Sequence, residues 1–324
     1  MAKTAVVTGA TGFLGRQVLQ VFSSAGWKAI GTGYSRANPP TLHKIDLSDA
    51  DAVRSLLDEI KYDTLFHEHC NSHQLTTRWG AANRFPDKCD QDPDGARRIN
   101  VEATQHLAQA CNTHSALLIY ISTDYVFPGR PGEAPYEVEA DPEPTNLYGQ
   151  TKRDGERAIL EITQDTALGV ILRVPVLYGK ANQPSESAVN ILLDAVWKAQ
   201  ENGAQVKMDH YAQRYPTNTE DVAHVCLDVA IKYLDAKDER QSLPKLLQFS
   251  SEDRHTKYEI CKLLADIMGL PLAGMIAIGA DPNASVQRPY DTHLSTKALQ
   301  DVGISVRTQD FEAWWRREVK AYRK

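Results

Sequence analysis

A tyrosine and a lysine lie four positions apart in Tyr148-Gly149-Gln150-Thr151-Lys152, at the start of a stretch with helical periodicity. Residues four apart share one face of a helix, so the ammonium of Lys152 is expected near the phenol of Tyr148. A neighbouring cation lowers the pKa of a phenol from its usual value of about 10. Tyr148 is therefore a candidate proton donor or acceptor, although a surface pair with no chemical role has the same spacing.

A hydroxyl side chain, Thr123, follows an apolar run at residues 117–122 that predicts a buried strand. In open α/β sheets, ligands bind in the crevice beyond the carboxyl ends of the strands. Thr123 is therefore expected to face the same ligand as Tyr148 and Lys152. These three residues form the candidate catalytic set.

Three glycines spaced three apart, Gly9, Gly12 and Gly15, follow the first apolar run and open an amphipathic stretch. Glycine lets the backbone approach a phosphate and lets a helix pack close to a strand. The amide groups and dipole at a helix start then attract the pyrophosphate of a dinucleotide. An ordinary strand–helix turn has the same spacing, but its place after the first strand favours dinucleotide binding.

The residues after the second apolar run indicate which dinucleotide would bind. An NAD site has an acidic residue about 20 positions beyond the glycine turn, to hold the ribose 2′-hydroxyl. Here Gly33-Tyr34-Ser35-Arg36 contains no acid, and Arg36 is able to pair with a 2′-phosphate, which favours NADP(H). A solvated loop arginine is the alternative.

Strand-like and helix-like segments alternate through the first half of the chain. The strand-like runs are residues 5–7, 29–32, 64–67, 117–122 and 170–174, and the helical stretches are residues 14–25, 50–60, 96–111 and 148–162. This alternation predicts βαβ units, and hence an α/β fold with a Rossmann-like, doubly wound parallel sheet.

The second half is less regular, with helical stretches at residues 187–200, 219–234 and 256–268 and no linker before it. We expect a dinucleotide-binding domain at residues 1–178, completed by strands that return from the second half. Residues 179–324 are expected to form a smaller, mixed α/β domain that interleaves with the first and covers the ligand.

Composition excludes several classes of protein. The 324 residues carry a formal net charge of −6, which argues against nucleic acid as a partner. No apolar run approaches the roughly 18 residues that a membrane span needs, and the apolar stretch after Lys3 is too short for a secretory leader. The 5 cysteines are an odd number and lie far apart, which indicates reduced thiols in the cytoplasm, with the nucleus as an alternative.

The glycine turn, residues 122–127 and residues 146–152 together resemble the extended short-chain dehydrogenase/reductase family, in the branch of the dTDP-4-dehydrorhamnose reductases. The resemblance covers nearly the whole chain. In such a reductase, hydride passes from NADPH to the C4 keto group of a nucleotide-linked 6-deoxyhexose. The resemblance implies that Tyr148 protonates the resulting alkoxide and that Thr123 hydrogen-bonds the same oxygen.

The resemblance also implies where NADP(H) lies. The glycine turn would contact the pyrophosphate, residues 34–36 would surround the 2′-phosphate, and Tyr148 and Lys152 would hold the nicotinamide ribose. Asp46 and Leu47 would cover the adenine, although their spacing alone fits a plain turn equally well. The full expected set is Gly9, Thr11, Gly12, Phe13, Leu14, Gly15, Tyr34, Ser35, Arg36, Asp46, Leu47, Arg84, Tyr148, Lys152 and Leu177.

Blocks in the second half resemble, more narrowly, the regulatory β-subunit family of methionine adenosyltransferase. They are residues 173–179, 186–189, 208–210, 213–217, 256–259 and 287–299. This resemblance implies NADP binding and a partner, the catalytic subunit that makes S-adenosylmethionine. The alternative is an active reductase of a 4-keto-6-deoxy nucleotide-sugar, and Tyr148 and Lys152 do not decide between the two because the pair also binds the cofactor ribose.

Residues 68–80 depart from the family pattern, in which the histidine at the end of the third core strand is followed almost at once by two alanines. His67, His69, Cys70 and His73 are possible zinc ligands, but their spacing matches no familiar zinc motif. An inserted loop beside the cofactor, or a segment absent from the natural mature chain, are the other interpretations. We expect local disorder here and no metal.

Two further features concern the second half. Arg214 and Arg288 are candidates to face an anionic substrate, or else form salt bridges at a domain seam. Phe311, Trp314 and Trp315 recur at helical spacing, which predicts a helix that packs on the core or, alternatively, faces a partner.

Overall fold

The computed structural model describes residues 2–40, 42–68, 86–280 and 288–320. Arg84, residues 69–80 of the departing segment and residues 321–324 therefore lie outside the described residues.

A parallel sheet organises the described part of the chain, and two short strand pairs accompany it. In chain order the strands are β1 (Thr4–Val7), β2 (Lys28–Gly33), β3 (Leu42–Lys44), β4 (Thr64–His67), β5 (Leu117–Thr123), β6 (Gly169–Val174), β7 (Leu177–Tyr178), β8 (Val206–Asp209), β9 (Thr217–Asn218), β10 (Leu246–Gln248) and β11 (Met275–Ile278). Within the described residues, the main sheet has seven strands in the order β10-β6-β5-β4-β1-β2-β3. All its pairings are parallel, so the carboxyl ends of its strands share one edge.

Helices cover both faces of this sheet, and further helices pack on the short strand pair β8–β11. They are α1 (Phe13–Ser24), α2 (Ala50–Glu59), α3 (Pro86–Gln91), α4 (Pro93–Arg97), α5 (Ala103–Thr113), α6 (Leu147–Ile162), α7 (Leu192–Lys198), α8 (Thr219–Asp235), α9 (Lys257–Met268), α10 (Lys297–Asp301) and α11 (Phe311–Glu318). None of the helices within the described ranges is both long enough and apolar enough to cross a membrane.

Two hydrophobic clusters lie on opposite faces of the sheet because successive strand residues point to opposite sides. Val7, Phe66 and Ile119 pack on one face against α1 and α8. Val6 and Leu65, their neighbours in the chain, pack on the other face against α2, α5 and α6. The predicted Rossmann-like, doubly wound arrangement is confirmed, and α8 and β10 from the second half complete it.

A third hydrophobic cluster forms the smaller C-terminal layer. It joins α7, α9 and α11 to the parallel pair β8–β11. Phe311, Trp314 and Trp315 are buried there and contact the ring of Tyr178 edge-on or stacked. The predicted C-terminal helix therefore packs on the core.

Two of the predicted helices differ from the observed ones. The stretch at residues 96–111 contains a π-helical turn, Arg98–Glu102, between α4 and α5. The stretch at residues 187–200 becomes helical only at Leu192, because the hydroxyl of Ser187 accepts the amide hydrogens of Val189 and Asn190 in a local turn. Serine hydroxyls compete with helical hydrogen bonding in this way.

A buried ion pair connects strand β6 of the main sheet to α6. Arg173 on β6 donates two hydrogen bonds to Glu156 on α6, at 2.9 and 2.8 Å. The two side chains are only 2% and 4% exposed. Arg173 also donates to the side-chain oxygen of Gln248 on β10 and lies over the ring of Phe127.

Replacing one member of this pair is expected to destabilise the protein strongly. Glu156→Gln leaves the Arg173 charge buried without its counter-ion, a change that costs about 3–5 kcal/mol in free energy of unfolding. Chemical denaturation measures it. The matched control is Glu312→Gln, which breaks an exposed pair with Arg316 and should cost under about 1 kcal/mol. Equal losses in the two variants would contradict a structural role for the buried pair.

Candidate functional site

The glycine turn after β1 has the geometry that a bound phosphate requires. Gly9 adopts a left-handed φ of +64°, and its carbonyl accepts the amide hydrogen of Gly12 at 2.7 Å. A Cβ atom at Gly15 would lie 2.3 Å from the Gly9 carbonyl oxygen, so a side chain there cannot fit. These two glycines let α1 begin directly against the strand end.

The first turn of α1 offers amide groups to an anion. Within the described residues, no side chain caps this helix start at Gly12, and its first turn contains no acidic residue. The amide dipoles there attract negative charge. Thr11, Phe13 and Leu14 belong to the same turn, so the predicted pyrophosphate contacts are brought together and fit a dinucleotide.

The predicted 2′-phosphate residues, Tyr34, Ser35 and Arg36, directly follow β2 at the same edge of the sheet. Arg36 is half-buried, and its Nη1 donates to Glu186 from the second half at 3.0 Å. Sequence reasoning did not single out Glu186 for a role. Its 150-residue separation from Arg36 leaves no local signal for the contact.

Asp46 and Leu47 have local roles that explain their types. One oxygen of Asp46 accepts both the amide and the hydroxyl hydrogen of Ser48, at 2.9 and 2.7 Å, which closes a tight turn. Leu47 packs against the hydrophobic cluster under the sheet. Their contact with adenine stays a prediction.

A cavity of about 350 Å³ opens beyond the carboxyl ends of β5 and β6. Among the predicted site residues it is lined by Phe13, Thr123, Tyr148, Lys152 and Leu177. These residues come from the start of α1, the end of β5, one face of α6 and the short strand β7, and the fold brings them to one place. The other described residues of the predicted cofactor set are not part of the lining, and Arg84 lies outside the described residues.

Tyr148 does not have the lowered pKa that its spacing from Lys152 predicted. The ring packs edge-on to that of Tyr125, and desolvation raises the pKa of the phenol above its ordinary value, although the Thr123 hydroxyl lowers it. The charge of Asp124 raises this pKa further. The expectation of a lowered pKa was wrong, because desolvation is the largest effect on this phenol and raises its pKa.

Lys152 uses its ammonium group elsewhere. Its Nζ donates to the carbonyl oxygen of Ile121 at 2.6 Å and lies 4.0 Å from the ring centre of Tyr120. Burial lowers the pKa of Lys152 to about 7, against a smaller opposing effect of Glu156 and Glu68. Near neutral pH, the lysine is therefore only partly charged.

Asp124 is a site residue that sequence reasoning did not single out. Its carboxylate accepts the hydroxyl hydrogens of Thr123 at 3.0 Å and of Thr292 at 2.6 Å. Burial raises its pKa, while the two hydroxyls and the charge of Arg214 lower it. Its place directly after a buried strand was the signal available, since carboxyl groups at such ends face the ligand crevice.

Arg214 also lines this cavity and is buried. Its Nη1 donates to the Gln213 carbonyl at 2.9 Å, and its guanidinium lies 5.9 Å from the ring centre of Tyr125. Arg288 lines the same cavity. Arg214 and Arg288, the two residues expected to face an anion, therefore line the same cavity as Tyr148.

His67, the described member of the possible zinc set, has a structural environment. It is fully buried at the end of β4, with Nδ1 2.8 Å from the Thr8 hydroxyl and Nε2 3.4 Å from the Thr104 hydroxyl. Burial lowers its pKa to about 3, so the ring is neutral. His69, Cys70 and His73 lie outside the described residues, and the described ones contain no cluster of three metal-ligating side chains.

The fold and the site together define the class of protein. Residues 3–323 match the family described as the RmlD substrate binding domain, and the chain belongs to this family. A crystal structure of dTDP-4-dehydrorhamnose reductase from Bacillus anthracis, in complex with NADP, has the same fold, with a TM-score of 0.77. That structure is 21% identical, and the match covers 98% of this chain and 97% of the other.

Proteins related in sequence say more than the structural neighbour about which branch of the family the chain resembles. The chain is 39% identical to methionine adenosyltransferase 2 subunit beta of Xenopus tropicalis over 306 residues, which is 94% of this chain and 84% of that protein. It is 36% identical to a dTDP-4-dehydrorhamnose reductase of Streptomyces griseus over 220 residues, 67% of this chain and 62% of that one. Both resemblances expected from the motifs are confirmed.

The depressed pKa of Lys152 predicts how stability depends on pH. Between the folded value of about 7 and the ordinary value of 10.5, the unfolded chain binds more protons at this group, so stability rises with pH. The slope from this one group is at most about 1.4 kcal/mol per pH unit. Denaturation of the wild type and of Lys152→Met from pH 7 to 9 measures it: the rise should be smaller in the variant, and parallel curves would contradict it.

Proposed function

We propose that this protein is an NADP-binding regulatory subunit of methionine adenosyltransferase, acting in S-adenosylmethionine biosynthesis. The observation that carries the proposal is the 39% identity to a beta subunit of that enzyme across 94% of the chain. The match to the reductase from Streptomyces griseus spans a smaller part of both chains. The proposed partner is the catalytic subunit, by analogy with the assembly that the relative's name describes.

The proposed cofactor is a nicotinamide dinucleotide, and specifically NADP(H). The glycine turn from Gly9 to Gly15 would hold the pyrophosphate and Arg36 the 2′-phosphate, while Tyr148 and Lys152 would hold the nicotinamide ribose beside Leu177. Bound NADPH supplies a hydride. The open amides of α1 and the absence of an acid in residues 34–36 support this assignment.

The ionisation of the site supports cofactor binding more than proton transfer. A general acid works best when its pKa lies near the working pH, and burial moves the pKa of Tyr148 away from it. The ammonium of Lys152 is directed to the Ile121 carbonyl. In this arrangement, Tyr148 and Lys152 serve as hydrogen-bonding groups for a ribose.

A second candidate function is an NADPH-dependent reductase of a 4-keto-6-deoxy nucleotide-sugar. The observation that favours it is that Tyr148 and Thr123 lie together at the wall of the 350 Å³ cavity. There Tyr148 would donate a proton to the oxygen at C4, and Thr123 would hydrogen-bond the same oxygen. Arg214 would face the nucleotide-sugar.

The proposal extends to organisation and location. The boundary between a dinucleotide-binding domain, residues 1–178, and a smaller domain, residues 179–324, remains a proposal, as does the status of residues 68–80 as an insertion. The four described cysteines are buried and free, and this supports a reducing compartment, the cytoplasm or alternatively the nucleus.

Two assays on the full chain separate the two candidate functions. We expect the chain to co-purify with a methionine adenosyltransferase catalytic subunit and to leave NADPH unoxidised with a 4-keto-6-deoxy nucleotide-sugar. Tyr148→Phe should leave the complex intact, because this change removes only a hydroxyl and keeps the ring. NADPH oxidation that disappears in Tyr148→Phe, without any complex, would replace the regulatory function by the reductase.

Replacing Arg36 tests the choice of NADP over NAD. Arg36→Gln removes a charge-assisted contact worth about 1.5–3 kcal/mol, which corresponds to a roughly 10- to 150-fold weaker binding of NADP⁺. Binding of NAD⁺ should not change, since it has no 2′-phosphate. Isothermal titration calorimetry measures both. Arg54→Gln, at an exposed arginine, is the matched control, and an equal loss for both cofactors would contradict the role of Arg36.

A further inference from the structure

A carboxylate from the second half of the chain lies between two arginines of the first half. Arg16 donates two hydrogen bonds to Glu186, at 3.0 and 2.7 Å, and Arg36 donates one at 3.0 Å. The amide of Asn182 donates a further hydrogen bond to Glu186 at 2.9 Å. We call these three charged side chains, Arg16, Arg36 and Glu186, the clasp.

The clasp is shielded from solvent mainly at its acidic member. The Glu186 side chain is 6% exposed, against 23% for Arg16 and 33% for Arg36. Burial raises the pKa of Glu186, but the hydrogen bonds from Arg16, Asn182 and Arg36 outweigh it and lower the pKa to about 2. Glu186 is therefore an anion at any physiological pH.

The clasp contacts the glycine turn directly and adjoins the cavity wall through the residue next to Glu186. Arg16 also donates to the carbonyl oxygen of Thr11 in the glycine turn, at 3.1 Å. Ser187, next to Glu186, donates its hydroxyl hydrogen to the carbonyl oxygen of Leu177 at 2.7 Å and lines the cavity. The chain segment that carries Glu186 is thus continuous with the cavity wall.

We propose that Glu186 is a specificity-determining residue that competes with the 2′-phosphate of NADP(H) for Arg36. The inference rests on the proposed NADP(H) site. A phosphate monoester carries between one and two negative charges near neutral pH, so pairing with Arg36 brings it close to a fixed carboxylate. NAD(H) has a hydroxyl at that position and meets no such repulsion.

The arrangement of the clasp fits competition at Arg36 in particular. Glu186 has two hydrogen bonds from Arg16 and one from the Asn182 amide, so it keeps its position when Arg36 turns to another anion. Arg36 contributes a single hydrogen bond to Glu186, which is the easiest of the contacts to exchange. Glu186 thereby lowers the affinity for NADP(H) relative to NAD(H), but NADP(H) still binds.

The test compares the affinities of the full chain for NADP⁺ and NAD⁺ by isothermal titration calorimetry. Glu186→Gln keeps hydrogen-bonding atoms for Arg16 and removes the charge. We expect about tenfold tighter binding of NADP⁺ and no change for NAD⁺, a difference of about 1.4 kcal/mol. Glu201→Gln, which removes one negative charge at an exposed position, is the matched control and should change neither affinity. Unchanged or weaker NADP⁺ binding in Glu186→Gln would overturn the inference.

A second variant, which is expected to change the affinity for NADP⁺ in the opposite direction, controls for a general loss of structure. Arg16→Gln leaves Arg36 as the only arginine partner of Glu186, so NADP⁺ binding should weaken several-fold. NAD⁺ binding should weaken less, since it loses only the contact of Arg16 with the glycine turn. Equal changes for both cofactors in either variant would show a structural role and overturn the inference. A wild type that binds neither dinucleotide overturns the proposed cofactor as well, whereas NADP⁺ binding that is indifferent to Glu186→Gln overturns the competition alone.

Discussion

The buried ion pair between Arg173 and Glu156 is the constraint on which the other elements depend. A charge removed from water is tolerated only where its partner is fixed, so β6 and α6 have one relative position. Helix α6 also carries Tyr148 and Lys152, and Arg173 reaches Gln248 on the last strand of the sheet. The position of the candidate catalytic set relative to the sheet edge is therefore fixed by an interaction in the core and not by contacts in the cavity.

The parallel βαβ arrangement of the main sheet was largely predictable because it depends on local patterns. Apolar runs that alternate with helical stretches indicate parallel βαβ units, and each predicted strand of the first half lies within one residue of its observed bounds. Strand β10 was not predicted at its position, since Leu246–Gln248 is three residues long and its pairing with β6 spans more than seventy residues. Short strands paired over such distances leave no periodic signal.

The site was predictable where one segment supplies the geometry, and not where two segments meet. The glycine turn and the pair Tyr148 and Lys152 each lie on one element, so spacing alone located them. The contact of Glu186 with Arg36 and that of Asp124 with Thr292 join distant segments, and only the folded chain brings them together. The pKa of Tyr148 was misjudged for a related reason, because spacing indicates neighbouring charges and gives no measure of burial.

The position of β10 has a consequence for how the protein is made. Ribosomes deliver the chain from the N-terminus, and the first half of the chain keeps an open sheet edge at β6 until residues 246–248 have emerged. Helix α8, which covers one face of the sheet, also comes from this late segment. Nascent chains that stop near residue 178 therefore expose apolar sheet and strand edge together, the combination that chaperones bind and that favours aggregation.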